Sequence, residues 1–97
     1  MTSKERAYLK GLAMNLDPIF HLGKGSLTPE FTEAVAEALE ARELIKINVL
    51  KNCADDPKIV AQVLGERTKS EVVQVIGRRI VLFKKAKEKS KIEFPRG

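Results

Sequence analysis

The stretch Leu22-Gly23-Lys24-Gly25-Ser26-Leu27-Thr28-Pro29 constrains this chain more than any other. It joins an apolar run that reads as a strand, Pro18 to Leu22, to a helix opening at Thr28, a good N-cap, with Pro29 as its first helical residue. Strands separated by helices favour parallel pairing, so the junction already points to an α/β arrangement. Glycines at 23 and 25 remove side-chain bulk and allow positive φ, which lets backbone N–H groups face outward beside a helix N-terminus, a surface suited to an anion. Lys24 adds charge there, whereas Glu30 and Glu33 satisfy the helix terminus themselves and repel a phosphate. The same residues also read as a plain turn in which glycine serves geometry only, and spacing does not separate the two readings.

Two nucleotide-binding motifs fail against this loop. A Walker A loop needs glycine where Pro18 stands, and Ser or Thr after its lysine, where Gly25 stands. A dinucleotide fingerprint would need a third glycine at Thr28, and the strand Leu44 to Leu50 ends without the acid that holds a ribose.

Along the chain, Thr2 and Glu5 have capping-box spacing, and Leu9, Leu12, Ala13 and Leu16 repeat at helical intervals, so a first helix is expected from about Ser3 to Met14. It turns Lys4, Arg6 and Lys10 outward, with Tyr8 as a stacking surface. Asn15, Asp17 and Pro18 break it, and His21 points away from the face of Phe20 and Leu22. A second helix, Pro29 to Glu43, carries the stripe Phe31, Ala34, Val35, Ala38 and Leu39; the strand Leu44 to Leu50 alternates Ile45, Ile47 and Val49 against Lys46 and Asn48. A third helix starts at Asp56-Pro57, with Gly65 near its end. Glu71 to Ile76 and Ile80 to Phe83 read as two strands of a hairpin turning at Gly77-Arg78 or Gly77-Arg78-Arg79. The two arginines at this tip serve either solubility or a second phosphate contact. The expectation is a single α/β domain of order α-β-α-β-α-β-β with a four-stranded mixed sheet packed with helices, residues 1–83, followed by a basic, mobile tail, residues 84–97.

Charge is polarised along the chain. The tail holds six Lys and Arg against two Glu, whereas helix Pro29 to Glu43 holds five Glu and one Arg, within a total of +5. A basic and an acidic side would let the protein meet a polyanion in one orientation. The N-terminus has no apolar h-region and no run reaches the length of a membrane span, so neither a signal peptide nor a membrane partner is expected. The single cysteine, Cys53, fits a reducing cytosol and a cytoplasmic location, and reads as an inert thiol.

No carboxylate pair, nucleophile-base set or metal-ligand spacing stands out, so no enzyme, cofactor or metal is expected. The central strands also lack the aromatic residues an RRM uses to stack bases.

Four stretches together resemble a known family: Leu9-Lys10-Gly11-Leu12-Ala13, then the loop from Leu22 to Thr28, then Glu43-Leu44-Ile45-Lys46, then Val73 to Gly77 with Ile80 to Phe83. They are similar to single-domain bacterial YhbY-type proteins of the CRM (chloroplast RNA splicing and ribosome maturation) domain family, in the same order over nearly the whole chain. The resemblance implies an RNA-binding module whose fold is similar to the C-terminal domain of translation initiation factor 3, associated with precursors of the large ribosomal subunit. Its loop is usually GxxG, comparable to the backbone clamp of KH domains; here the first Gly is Gly23 and the fourth position is Ser26, whose hydroxyl can itself donate to phosphate. Taken with the residues, this implies that Gly23, Lys24, Gly25 and Ser26 hold RNA backbone and that Lys4, Arg6, Lys10, Arg78 and Arg79 widen the contact. Lys84 and Lys85 begin the steering tail, and Lys46 enters through the family's Glu-Leu-Ile-Lys stretch. The expected partner is large-subunit rRNA, bound by a monomer. The alternative is a protein-interaction module using the acidic helix or the tail, which salt dependence would distinguish.

Overall fold

The computed structural model describes residues 1–86, 90 and 92–94. Its elements run α1 (Ser3–Ala13), β1 (Phe20–Leu22), α2 (Pro29–Arg42), β2 (Leu44–Val49), α3 (Pro57–Thr68), β3 (Glu71–Ile76) and β4 (Arg79–Phe83), the expected order. Each helix begins where its cap residue accepts a backbone N–H. Thr2 Oγ1 accepts from Glu5 at 3.1 Å while Glu5 Oε1 accepts from Thr2 at 2.9 Å, completing the capping box. Thr28 Oγ1 accepts from Phe31 at 3.0 Å, and Asp56 Oδ1 from Lys58 at 2.8 Å.

The four strands lie in the order β1-β2-β4-β3. β1 and β2, joined through α2, pair in parallel, with Leu22 opposite Val49. β2 and β3 run in the same direction on either side of α3, yet they do not pair: β4 inserts between them, antiparallel to both. Only the first helix-linked pair is therefore a parallel ladder. The hairpin turns at Gly77-Arg78, with Gly77 at φ 57° and Ile76 opposite Arg79.

Two cores sandwich the sheet. On one face Ile45, Ile47, Val49, Ile80 and Leu82 meet Val35 and Leu39 of α2 and Val60, Ala61 and Leu64 of α3. On the other face Leu44, Val73, Val81 and Phe83 meet Leu9 and Ala13 of α1. Side chains of this size contribute about 1.5–3 kcal/mol each when fully buried, so the period-2 pattern of β2 fixes which residues can face which helix. α3 runs past Gly65 to Thr68. Gly65 marks a close approach to β3: an added Cβ would sit 3.1 Å from Val72 Cγ2 and 3.3 Å from the Ser70 carbonyl oxygen.

Two polar devices secure the end of the sheet that begins β2. β3 carries a register shift between Val72 and Gln74, and Arg6 Nη1 donates to the carbonyls of Val72 at 2.6 Å and Val73 at 3.0 Å. Glu43, the α2 C-cap, is 1% exposed, and its carboxylate accepts from the Ala86 N–H at 3.0 Å, the Ser90 hydroxyl at 2.8 Å and the Ile92 N–H at 3.2 Å. The Phe94 ring lies 5.7 Å from that of Phe83 and 5.9 Å from that of Tyr8. The described residues beyond Phe83 thus lie against the domain, where the sequence suggested a mobile tail, because a buried carboxylate and two aromatic rings give them partners. Tyr8, expected to offer a stacking surface, packs against Phe94 instead. The remainder of the expected tail, residues 87–89, 91 and 95–97, lies outside the described residues.

Candidate functional site

Three connections meet where β1 and β2 end: Gly23 to Thr28, Leu50 to Asp56, and Gly77-Arg78. They are stitched together. Leu50 N–H donates to the Leu22 carbonyl at 2.8 Å, Val49 N–H to that of Arg78 at 2.7 Å, and Arg78 Nη1 to that of Leu50 at 3.2 Å. Residues Gly23 to Ser26 form a turn closed by Ser26 N–H donating to the Gly23 carbonyl at 2.9 Å, with Lys24 and Gly25 exposed at its tip.

The left-handed residue of this turn is Ser26, at φ 49°, and neither Gly23 nor Gly25 has positive φ. The expectation that the two glycines supply left-handed backbone is therefore corrected; the strain sits at the fourth position, where the family usually has glycine. Side-chain contacts hold it there. Ser26 Oγ donates to Asp55 Oδ2, and Cys53 Sγ lies 3.7 Å from Ser26 Oγ. The Ser26 hydroxyl and amide are thus committed within the protein, leaving the tip at Lys24 and Gly25 as the outward part. Nothing lies within 4 Å of a Cβ built on Gly25, and one on Gly23 makes only ordinary contacts at 3.4 Å with Asn52 and Leu50. The fold itself requires glycine at neither place.

The sheet face that carries α1 extends beyond the helix. Past the last turn of α1, Lys10, Lys46 and Arg79 surround a groove of about 170 Å³. Lys46 and Arg79 project there because Lys46 pairs with Val81 and Arg79 with Asn48, on the opposite face from Ile45, Ile47 and Val49. Toward the Gly23 turn the same face continues through Asn48 and His21, register partners whose Nδ2 and Nδ1 atoms lie 3.3 Å apart. From the sequence, His21 faces away from Phe20 and Leu22, and Asn48 shares the polar side of its strand with Lys46, but neither is among the expected site residues. Their signal was the alternation of β2, which puts two polar residues on a face otherwise closed by a helix.

The remaining expected cations lie toward the far end of the sheet and have structural partners. Arg6 ties the β3 irregularity, and Lys84 Nζ donates to the Thr68 carbonyl at 3.1 Å where α3 ends. Lys85 is exposed and lies close enough to Glu5 to help hold its carboxyl below the usual value, behind the larger effect of the Thr2 N–H bond. Lys4, in the first turn of α1, is also exposed. Of twelve nominated residues, then, the structure gathers Gly23 to Ser26, Lys10, Lys46, Arg78 and Arg79 toward one end, and separates Lys4, Arg6, Lys84 and Lys85 from them.

Among the described residues, no cluster of three or more His, Cys, Asp or Glu is arranged to hold a metal ion. No described helix is long and apolar enough to cross a membrane.

Comparison with known proteins follows the same lines. Residues 1–84 match the model of the CRS1 / YhbY (CRM) domain. The chain is 46% identical over 95 residues to the Bacillus subtilis protein named Probable RNA-binding protein YqeI, covering 98% of this chain and 99% of that one. It is 33% identical over 96 residues to a Haemophilus influenzae protein named RNA-binding protein, covering 99% and 96%. The solution structure of the hypothetical protein SAV1595 from Staphylococcus aureus superposes with a TM-score of 0.81 at 47% identity, covering 98% of this chain and 99% of that one. With the family model spanning residues 1–84, and the fold and these relatives in agreement, the chain belongs to the CRS1 / YhbY (CRM) family of RNA-binding domains.

Proposed function

We propose that this protein binds structured rRNA through the Lys24 turn and the adjoining basic face, and that it serves assembly of the large ribosomal subunit. The observation that carries the reading is the convergence of Lys10, Lys46 and Arg79 on one groove at the loop end of the sheet, with no carboxylate among the described residues lining it. Cations so grouped neutralise several phosphates at once, which supplies affinity and orientation more than sequence selectivity. Lys24 and Gly25 add an exposed tip whose glycine the fold does not require, which favours close approach of an RNA backbone over the plain-turn reading. The exposed acids Glu33, Glu37 and Glu40 lie on α2, across the sheet from the groove, so the charge distribution turns the basic face toward a polyanion. Lys4 and Lys85, both exposed, act at the periphery, while Arg6 and Lys84 are held by backbone carbonyls, in a monomer working in the cytoplasm without catalysis.

Sedimentation of the tagged protein in lysate, at low and high salt, tests the assembly role. Comigration with large-subunit precursors at low salt, lost at high salt, is the expected result; a protein that stays at the top of the gradient in both conditions refutes it. Binding that ignores salt would instead favour an apolar protein interface.

A further inference from the structure

We propose that the groove beside α1 holds a single unpaired nucleotide of the bound RNA, its base on the apolar floor and its flanking phosphates on the surrounding cations. This rests on the RNA-binding reading above and names the ligand for one part of that surface.

Two kinds of residue share the groove. Met14, 82% exposed, and Ile76, 64% exposed, are the two most exposed large apolar residues described, and both line it. Ala13 and Val81 close the floor between them. Lys10, Lys46 and Arg79 stand around this apolar patch, and their side chains have no ion-pair or hydrogen-bond partner among the described residues. A surface meant only for duplex backbone has no use for exposed Met and Ile side chains. An apolar docking site for a protein has no use for three cations without partners. An unpaired nucleotide needs both, because its base is a flat, largely apolar face carried between two phosphates.

Size points the same way. At about 170 Å³ the groove is smaller than the roughly 300–1,000 Å³ of a cofactor or drug-sized site, so it suits one planar group. Gln74, half-buried on β3 opposite Val81, also lines it. Its amide brings a donor and an acceptor together, the pair that hydrogen-bonds a base edge.

The test uses two RNA hairpins of equal length, one fully paired and one with a single unpaired 2-aminopurine, titrated by fluorescence at fixed salt. The full chain is expected to bind the bulged hairpin about tenfold more tightly, with a change in 2-aminopurine emission. Met14→Ser combined with Ile76→Ser, at exposed positions where the fold is indifferent, should erase the preference while leaving affinity for the paired hairpin unchanged. Lys24→Glu should weaken both hairpins alike. Equal binding of the two hairpins by the unaltered protein, or a preference that survives the Met14/Ile76 change, overturns the nucleotide site. If Lys24→Glu still weakens binding in that case, the RNA-binding reading stands. Failure to bind either hairpin overturns both.

Discussion

The carboxylate of Glu43 accepts the backbone N–H of Ile92 at 3.2 Å, across 49 residues of chain, from a position that is almost fully buried. Bonds to an ionised acceptor contribute about 1.5–3 kcal/mol each, and Ala86 and Ser90 donate to the same carboxylate. Glu43→Gln puts an amide N–H₂ where donors point, and should cost roughly 2–4 kcal/mol in urea unfolding. Hydrogen exchange at Ala86 and Ile92 should accelerate by more than the global change explains. Unaltered exchange at those two amides would refute the anchoring role.

Ser26 offers a cleaner separation of strain from bonding. Its left-handed φ costs about 1–2 kcal/mol that glycine would not incur, while its hydroxyl bond to Asp55 returns about 1 kcal/mol. Ser26→Gly should therefore lie within about 1 kcal/mol of the parent in thermal unfolding, and Ser26→Ala, which keeps the strain and loses the bond, should be about 1 kcal/mol less stable. The reverse ranking, with Ala above Gly, would mean that the left-handed backbone at position 26 carries no strain, since both variants lack the hydroxyl bond.

Gly25→Ala tests what that residue is for. The substitution meets no neighbour within 4 Å, so the melting temperature should stay within about two to four degrees of the parent, which is what roughly 0.5 kcal/mol produces in a domain this size. RNA affinity, measured beside it, should fall several-fold because a methyl group holds the backbone away from phosphate. An unchanged affinity would return this position to the plain-turn reading.

Charge reversals rank the basic surface. Lys24→Glu and Lys46→Glu should each weaken RNA binding by about tenfold or more and lower the salt slope by about 1. Lys58→Glu, on the first turn of α3 and therefore across the sheet from the groove, should change little. Equal effects at all three positions would remove the case for a localised interface.

Glu5 carries a pH effect at the start of α1. Its carboxyl lies below the ordinary value of 4.5, chiefly because the Thr2 N–H donates to it. A group whose folded pKa is depressed stabilises above its unfolded pKa and loses that contribution as pH falls through the folded one. Acid should therefore loosen the first turn of α1 below about pH 4.5. Thr2→Ala should raise the Glu5 titration in carboxyl NMR, because a frayed cap no longer aims its N–H at the carboxylate. A Glu5 titration unmoved by Thr2→Ala would show that the cap does not hold it.

What could be read from residues alone was local. Caps at Thr2, Thr28 and Asp56 placed three helices within a residue or two, and the alternation of Leu44 to Val49 assigned both faces of β2. Insertion of β4 could not be read, since which strand fills a gap depends on contacts between distant segments. Glu43 passed for one more solvent-facing acid of a glutamate-rich helix, because its burial depends on residues more than forty places later. At the site, Lys46 and Arg79 face one groove only because β2 and β4 are neighbours.

The position of β4 has a consequence for how this chain comes into being. Residues 1–76 contain all three helices and three of the four strands, yet β2 and β3 then flank a vacant lane. A nascent chain at that stage displays two unsatisfied backbone edges and neither finished core, the condition under which strands recruit other chains. Closure waits for five residues, Arg79 to Phe83, so a truncation before Arg79 yields no smaller working domain but a species that proteases and aggregation remove.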